Sequence, residues 1–314
     1  MVLADPHGDG LDFKDFHVQF SIRQNETAIP TQADIRIFNV ASTTVQKIAK
    51  EFTQVIVQAG YPGLFGTIFS GSLVQRRTGR TSPVDTYLDI SAYDGDRGHN
   101  SAVVNTTIAA GATQADVAKT AIAAMNAHGV TQGYTDGLVG NALPRGRVLY
   151  GMARDTLHDV AATQGATWSI QNGKVVMLPL KGYLPGEAVV LTSATGLIGL
   201  PQQTMDGIMV RCLLNPLLRV NGLLKIDNAS VQQMKLPMAW DKVFIPPGLP
   251  SVAADGIYRI LSIDYAGDSR GQDWYCDIAC IAQDGTVPIS QAQRGRGGLG
   301  LDAKAPMALP ATAT

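Results

Sequence analysis

From residue 16 to residue 92 apolar and polar side chains alternate in short runs. FHVQFSI puts Phe16, Val18, Phe20 and Ile22 on one face, because successive side chains of a strand point to opposite sides. ADIRIFNV, QVIVQAG, GTIFSGSLVQ and DTYLDISA continue the period of two. Turn residues separate these runs at Asn25, Tyr61-Pro-Gly, Thr78-Gly79 and Asp94-Gly95. One stretch changes period: Val45, Ile48, Ala49 and Phe52 fall at helical spacing, which predicts a helix with Ser42 as its cap. Short, evenly punctuated strands predict a small barrel or sandwich over residues 1–97.

Residues 98–195 read as a mixed α+β segment. Thr113 and Asp116 have capping-box spacing, with Asp in place of Glu. Ala118, Ala121, Ile122 and Met125 form the inward stripe of the helix that follows, and Gly129 ends it. A second helix is predicted from about Met152 to Gln164, with Ala153, Leu157, Val160 and Ala161 inward and Gly165 as its stop. In WSIQNGKVVM the Asn172-Gly173 pair predicts a type I′ hairpin, since both central residues of that turn need positive φ. Folding about it sets Ile170 opposite Val175 and Trp168 opposite Met177. Residues 196–285 return to strands in GIMVRCLLN, LRVNGLLKID, VFIPP, GIYRILSIDYA and DWYCDIACIA. Residues 286–314 are rich in Gly, Ala and Pro without a period, so they are expected to be disordered alone and to lie along another subunit when assembled.

Two segments share a pattern. GRTSPVDTYLDI from Gly79 and GDSRGQDWYCDI from Gly267 both read G-x5-D-x-Y-x-D-I, and Asp-Gly follows each, at Asp94 and Asp284. Thr86, Leu88, Ile90 and Ala92 share a strand face in the first. Trp274, Cys276, Ile278 and Cys280 share it in the second. Cys276 and Cys280 therefore stand where the first copy has leucine and alanine, which reads as core packing. Four strand residues span about 13 Å, too far for a disulfide or for two ligands of one zinc.

The chain has 314 residues, enough for two or three domains, and is 45% hydrophobic with a net charge of −1. Charged residues make up only 16%, which points to a surface covered by partners and excludes binding of nucleic acid by bulk charge. No secretory leader and no membrane span are expected, and three cysteines fit synthesis in a reducing cytoplasm.

Motifs that suggest chemistry lack their context. Gly267-Asp-Ser269-Arg-Gly271 matches G-x-S-x-G, but a strand follows where a nucleophile elbow needs a helix, and no histidine lies downstream of His158. Gly295 to Gly300 matches G-x-G-x-x-G without a following helix or acidic residue, and Arg294 and Arg296 beside it are a weak signal for RNA. The loop Asp94-Gly-Asp96-Arg-Gly-His99 lacks the further oxygen ligands of a calcium site and reads as a turn between domains. His7, His17, His99, His128 and His158 make no metal-binding pair, and Asp155 and Asp159 around His158 read as a solvated helix face. No catalytic, cofactor-binding or metal residue is assigned and no cofactor is expected.

The chain resembles the baseplate hub proteins of contractile-tailed bacteriophages, the Mu-like group in particular. The resemblance rests on ADIRIFNV with QVIVQAGYPG, FSGSLV and AYDGD, on ATWSIQNGKVVMLP, on LTSATGLIGLPQQTMDGIMVRCLLNP, and on GIYRILSIDYAGDSRGQDWYCDI, together reaching from about residue 15 to 285. It implies a mainly β chain with an α+β middle: two similar tube-type β-barrels, residues 1–97 and 196–285, flanking a mixed domain at 98–195. It further implies a homotrimer whose six barrels imitate a hexagon, with a tail tube protein above and a spike protein below. Such a hub is non-enzymatic, resides in the virion tail after assembly in the host cytoplasm, and lets phage DNA pass through a bore that is not basic. Other baseplate subunits are expected partners of residues 286–314. A tail-associated cell-wall hydrolase and a glycan-binding β-module are the competing readings. The second is disfavoured by an aromatic content of only 6%.

Overall fold

The computed structural model describes residues 2–4, 10–138, 140, 142–204, 207–232, 252–253 and 255–283. In chain order the first strands are β1 (Val2–Ala4), β2 (Gly10–Asp12), β3 (Val18–Asn25) and β4 (Gln32–Phe38), then helix α1 (Ser42–Glu51) and strands β5 (Gln54–Tyr61), β6 (Leu64–Arg80) and β7 (Thr86–Tyr93). The middle holds α2 (Asp96–Ser101), β8 (Val103–Ile108), α3 (Gln114–Asn126), β9 (Thr131–Gln132), β10 (Arg147–Met152), α4 (Ala153–Gln164), β11 (Ala166–Gln171) and β12 (Lys174–Pro179). The last strands are β13 (Val189–Leu191), β14 (Leu197–Thr204), β15 (Gly207–Leu213), β16 (Leu223–Ile226), β17 (Ile257–Asp268) and β18 (Trp274–Ala282).

The first and last groups form one 13-stranded sheet in the order β14-β15-β18-β17-β3-β4-β7-β6-β5-β1-β2, with β16 also on β17 and β13 on β16. The two groups repeat one plan. β3, β4, β7, β6 and β5 lie side by side in the first, and β14, β15, β18, β17 and β16 in the second, each set in the same chain order. The copies agree to a single residue at their bulge. Between β6 and β7 the register slips at Leu73/Gln75, and between β17 and β18 at Ile260/Ser262. Val74 and Leu261 are the extra residues, and each lets its strand twist from one partner to the next. That is how β6 reaches 17 residues, longer than the short strands expected: it pairs β5 with its first half and β7 with its second.

Alternation explains the core. Val18, Phe20 and Ile22, then Ile35 and Ile37, then Leu88, Ile90 and Ala92 are all buried, as are Val210, Cys212, Ile263, Tyr265, Cys276, Ile278 and Cys280 on the second copy. They form a single contiguous cluster spanning both strand groups, so the halves share a core. Helix α1 adds Ile48 to it, and Phe52, the residue that ends the helix, packs there as well. Its cap is not Ser42: that residue is already helical, and Ala41, extended at φ −59° and ψ 142°, holds the cap position without a side-chain bond.

The middle packs around its own cluster. The Thr113–Asp116 capping box is formed in both directions, and Val117, Ala118, Ala121, Ile122 and Met125 face inward. Helix α4 stops at Gly165, whose φ of 60° no branched residue would accept cheaply. The hairpin β11–β12 has the expected register, Ile170 opposite Val175 and Trp168 opposite Met177, about Asn172 (φ 51°) and Gly173 (φ 71°). The Asp94 loop is more than a turn, because Gly95 at φ 66° opens α2 directly behind it. The VFIPP run, Asp284-Gly285 and residues 286–314 lie outside the described residues.

Candidate functional site

The side of the large sheet turned away from the core carries its charges, and they come in pairs. Arg36 on β4 stands opposite Asp89 on β7. Its Nε and Nη2 donate to the two carboxylate oxygens at 2.7 and 3.0 Å, while the guanidinium lies 4.2 Å from the ring centre of Tyr87. The second copy repeats this with Arg211 on β15 and Asp277 on β18, at 2.7 and 2.9 Å, and Tyr275 at 4.4 Å. In each case the hydrogen bond donated to the carboxylate raises the guanidinium pKa, so the charge is permanent. A planar fork that holds both oxygens and stacks on an aromatic face is a geometry lysine cannot copy.

Neighbouring strands extend the pattern. Arg77 on β6 also faces Asp89, at 3.6 Å, and Arg23 on β3 stands opposite Asp264 on β17. Gln19, Ser21, Asp34, Arg36, Arg77, Asp89, Ser91 and Asp268 line a shallow open groove of about 580 Å³ where the two strand groups meet. The result is a polar wall in which each of these arginines has an aspartate across the strand gap.

The spacing of Tyr87, Asp89, Tyr275 and Asp277 was legible in the repeat. Their arginines were not. Arg36 and Arg211 sit on separate strands, and the signal that would have found them is the shared pattern of ADIRIFNV and GIMVRCLLN, apolar residues alternating around one arginine.

The G-x-S-x-G segment is a fastening. Ser269 Oγ accepts the Val18 N–H at 2.9 Å and donates to the Phe16 carbonyl at 3.2 Å, so its hydroxyl serves the backbone. His17 meets Asp268 through Nε2 at 2.8 Å and stacks on Phe38, with ring centres 4.3 Å apart. Partial burial pushes the Asp268 carboxyl up. Hydrogen bonds from Gln19, the Arg270 N–H, His17 and the Gly271 N–H outweigh this and hold it at about 2. A serine, a histidine and an aspartate therefore meet without forming a relay, because the histidine turns to the carboxylate and the serine to the chain. Together they tie the β17–β18 turn to the start of β3.

The cysteines are free and buried. Cys276 faces Cys212 across the strands, and hydrogen bonding to Cys212 followed by burial raises its pKa. Burial alone raises that of Cys280. Cys276 and Cys280 are therefore thiols without nucleophilic character. Asp155 and Asp159 pair with Arg154 and Arg147, at 3.7 and 3.4 Å. His99 stacks on Trp168, and burial lowers its pKa. Asp94 turns inward and accepts the Gly173 N–H at 2.8 Å. Among the described residues no group of His, Cys, Asp and Glu is placed to hold a metal ion, and no helix is long and apolar enough to cross a membrane. Arg294, Arg296 and the glycine-rich run around them lie outside the described residues.

No family model and no curated protein matches the sequence. Solved structures do match in fold. The 43 kDa tail protein of prophage MuSo2 from Shewanella oneidensis superposes with a TM-score of 0.56 at 10% identity, over 90% of this chain and 96% of that one. A tail protein from Neisseria meningitidis MC58 gives 0.52 at 10% identity, over 84% and 91%. The E. coli c3393 protein, a type VI secretion component described as similar to the T4 tail proteins gp27 and gp5, gives 0.50 at 12% identity, over 87% and 76%. The chain is mainly β and shares the fold of these tail proteins.

Proposed function

We propose, from a fold held in common with phage tail proteins, that this chain is the non-enzymatic structural hub of a tail baseplate. In this reading residues 1–97 and 196–285 are two tube-type barrels, 98–195 is the mixed segment beside them, and 286–314 reaches a neighbouring baseplate subunit. Three chains set six look-alike modules in a ring, which meets a six-fold tail tube on one face and a three-fold spike on the other without symmetry mismatch. The arginine–aspartate wall lines the bore. Phosphates passing it meet cations already held by carboxylates, so DNA is not retained. The hub resides in the virion tail after assembly in the host cytoplasm.

One observation carries the proposal: the strand order, the bulge at Val74 and Leu261, and the Arg–Asp–Tyr cluster all occur twice in one chain. Light scattering and particle images of the purified chain test it. The expected result is a mass of three 33.3 kDa chains and rings with six lobes. A chain that remains monomeric at every concentration, alone and with tube and spike proteins, overturns it.

A further inference from the structure

A cavity of about 400 Å³ lies where both strand groups meet the middle segment. That is within the about 300–1,000 Å³ of small-molecule sites. Strands β3 and β6 contribute Gln24 and Ile68, the hairpin β11–β12 contributes Gln171 and Lys174, and the turn after β15 contributes Leu218 and Arg219. No Asp or Glu is among the described residues that line it. Asp94 stands next to this wall, but it accepts the Gly173 N–H and is not part of the lining.

The walls are fastened by bonds that leave polar atoms open to the cavity. Tyr134, which also lines it, accepts the Met177 N–H on its carbonyl at 2.8 Å, and the Gly133 N–H before it donates to Val175 O at 2.9 Å. Tyr265 Oη donates to Leu218 O at 3.3 Å and so fixes the turn that carries Arg219. Gln24 Nε2 donates to Ile68 O at 2.8 Å, and Gln171 Nε2 to Ser169 Oγ at 3.0 Å. The amide oxygens of these glutamines are left to accept hydrogen bonds from a ligand.

Lys174 and Arg219 are exposed, so a ligand reaches them from solvent, and neither has a carboxylate partner among the described residues. On the outer face of the sheet Arg36, Arg77 and Arg211 each have one. Two cations in one concave site repel each other, and a cleft of one sign concentrates ions of the other. A planar fork and a point charge together suit a phosphate group.

We propose that this cavity binds a small hydroxylated phosphate ester, a sugar phosphate by class, with its phosphate between Lys174 and Arg219 and its hydroxyls on the amide oxygens of Gln24 and Gln171. A bare oxyanion would leave those two acceptors without donors. The site lies within one chain and is independent of the ring reading above.

Isothermal titration of the full chain with glucose 6-phosphate at ~0.15 M salt tests it. The expected result is saturable binding of one ligand per chain, weakened about tenfold or more by Lys174→Gln and by Arg219→Gln, since each removes a charge-assisted hydrogen bond. Lys181→Gln, at an exposed lysine outside the lining, should bind as the native chain does. Urea unfolding without ligand should be alike in all of these proteins, which separates lost binding from lost fold. No saturation by the native chain up to about 10 mM overturns the site. Binding undiminished in Lys174→Gln and Arg219→Gln, or diminished equally in Lys181→Gln, overturns it as well, because the anion then sits elsewhere. Inorganic phosphate binding as tightly as glucose 6-phosphate overturns the hydroxyl contacts and with them the ligand class.

Discussion

Asp94 is the residue whose ionisation bears most directly on how the sheet holds the middle segment. It is 3% exposed and accepts the N–H of Gly173 in the turn of β11–β12, while its own N–H bonds to Thr31 O. Burial pushes its carboxyl up to about 6, and the N–H groups of Gly173 and Asn172 pull the other way without cancelling this. A carboxyl whose folded pKa is raised contributes stability below its unfolded pKa and loses it as pH rises through the folded value. Stability from this group should therefore fall between about pH 4 and pH 6, by about 3 kcal/mol at 1.36 kcal/mol per unit. Asp94→Asn keeps an acceptor for the turn without the charge, so urea unfolding should show that slope flattened and no loss at pH 8. The buried pair Glu26–Arg259 holds a second carboxyl whose pKa lies above its ordinary value. Arg259 Nη1 lies 3.2 Å from Glu26 Oε2 and donates to Gly182 O at 3.1 Å. Desolvation raises the Glu26 pKa and Arg259 only partly offsets it. Arg259→Ala leaves a buried carboxylate alone and should cost about 3–5 kcal/mol in the free energy of urea unfolding, while Glu26→Gln with Arg259→Met should cost far less.

At the scale of elements, sequence period and structure agree where one face is buried and the other is wet. Strands β3, β4 and β7 alternate cleanly, and the hairpin at Asn172-Gly173 could be read to the residue. β8 and β10 escaped because apolar residues stand on both their faces: Val103, Val148 and Tyr150 are exposed. Gly199 and Pro201 inside β14 argued against a strand, and they sit where its pairing with β15 slips. The contact between β17 and β3 was illegible as well, since hairpin signals are local and this pairing joins opposite ends of the chain. Its tightest point is Gly267, where a Cβ would come within 2.2 Å of the Phe20 ring, which packs edge-on against Trp274 at 5.5 Å. Gly267→Ala should therefore cost about 1–3 kcal/mol through overpacking. Hydrogen exchange should show the loss concentrated along β3 and β17, and an unchanged exchange pattern there would contradict the tight fit.

For the whole molecule the decisive quantity is the distribution of charge and not its sum. A net charge of −1 is compatible with a basic channel, an acidic one or neither. What it hides is that Arg36, Arg77 and Arg211 all face the carboxylates of Asp89 and Asp277. Exposed pairs of this kind add little stability, about 0–1 kcal/mol, so stability alone is a weak reason for repeating them in both copies. In the bore proposed above, their effect on a passing polyanion is larger. A guanidinium engaged by a carboxylate releases few counterions from DNA, and a free one releases about 0.9 per phosphate contact. Asp89→Asn with Asp277→Asn frees the arginines without removing side-chain volume. The native assembly should leave duplex DNA unretarded at ~0.15 M salt, an ionic strength at which the Debye length is about 8 Å. The double variant should retard it, with an affinity that falls steeply as salt rises, while light scattering and urea unfolding stay close to native. Equal retardation by both proteins would mean that the charged wall is not the surface DNA meets.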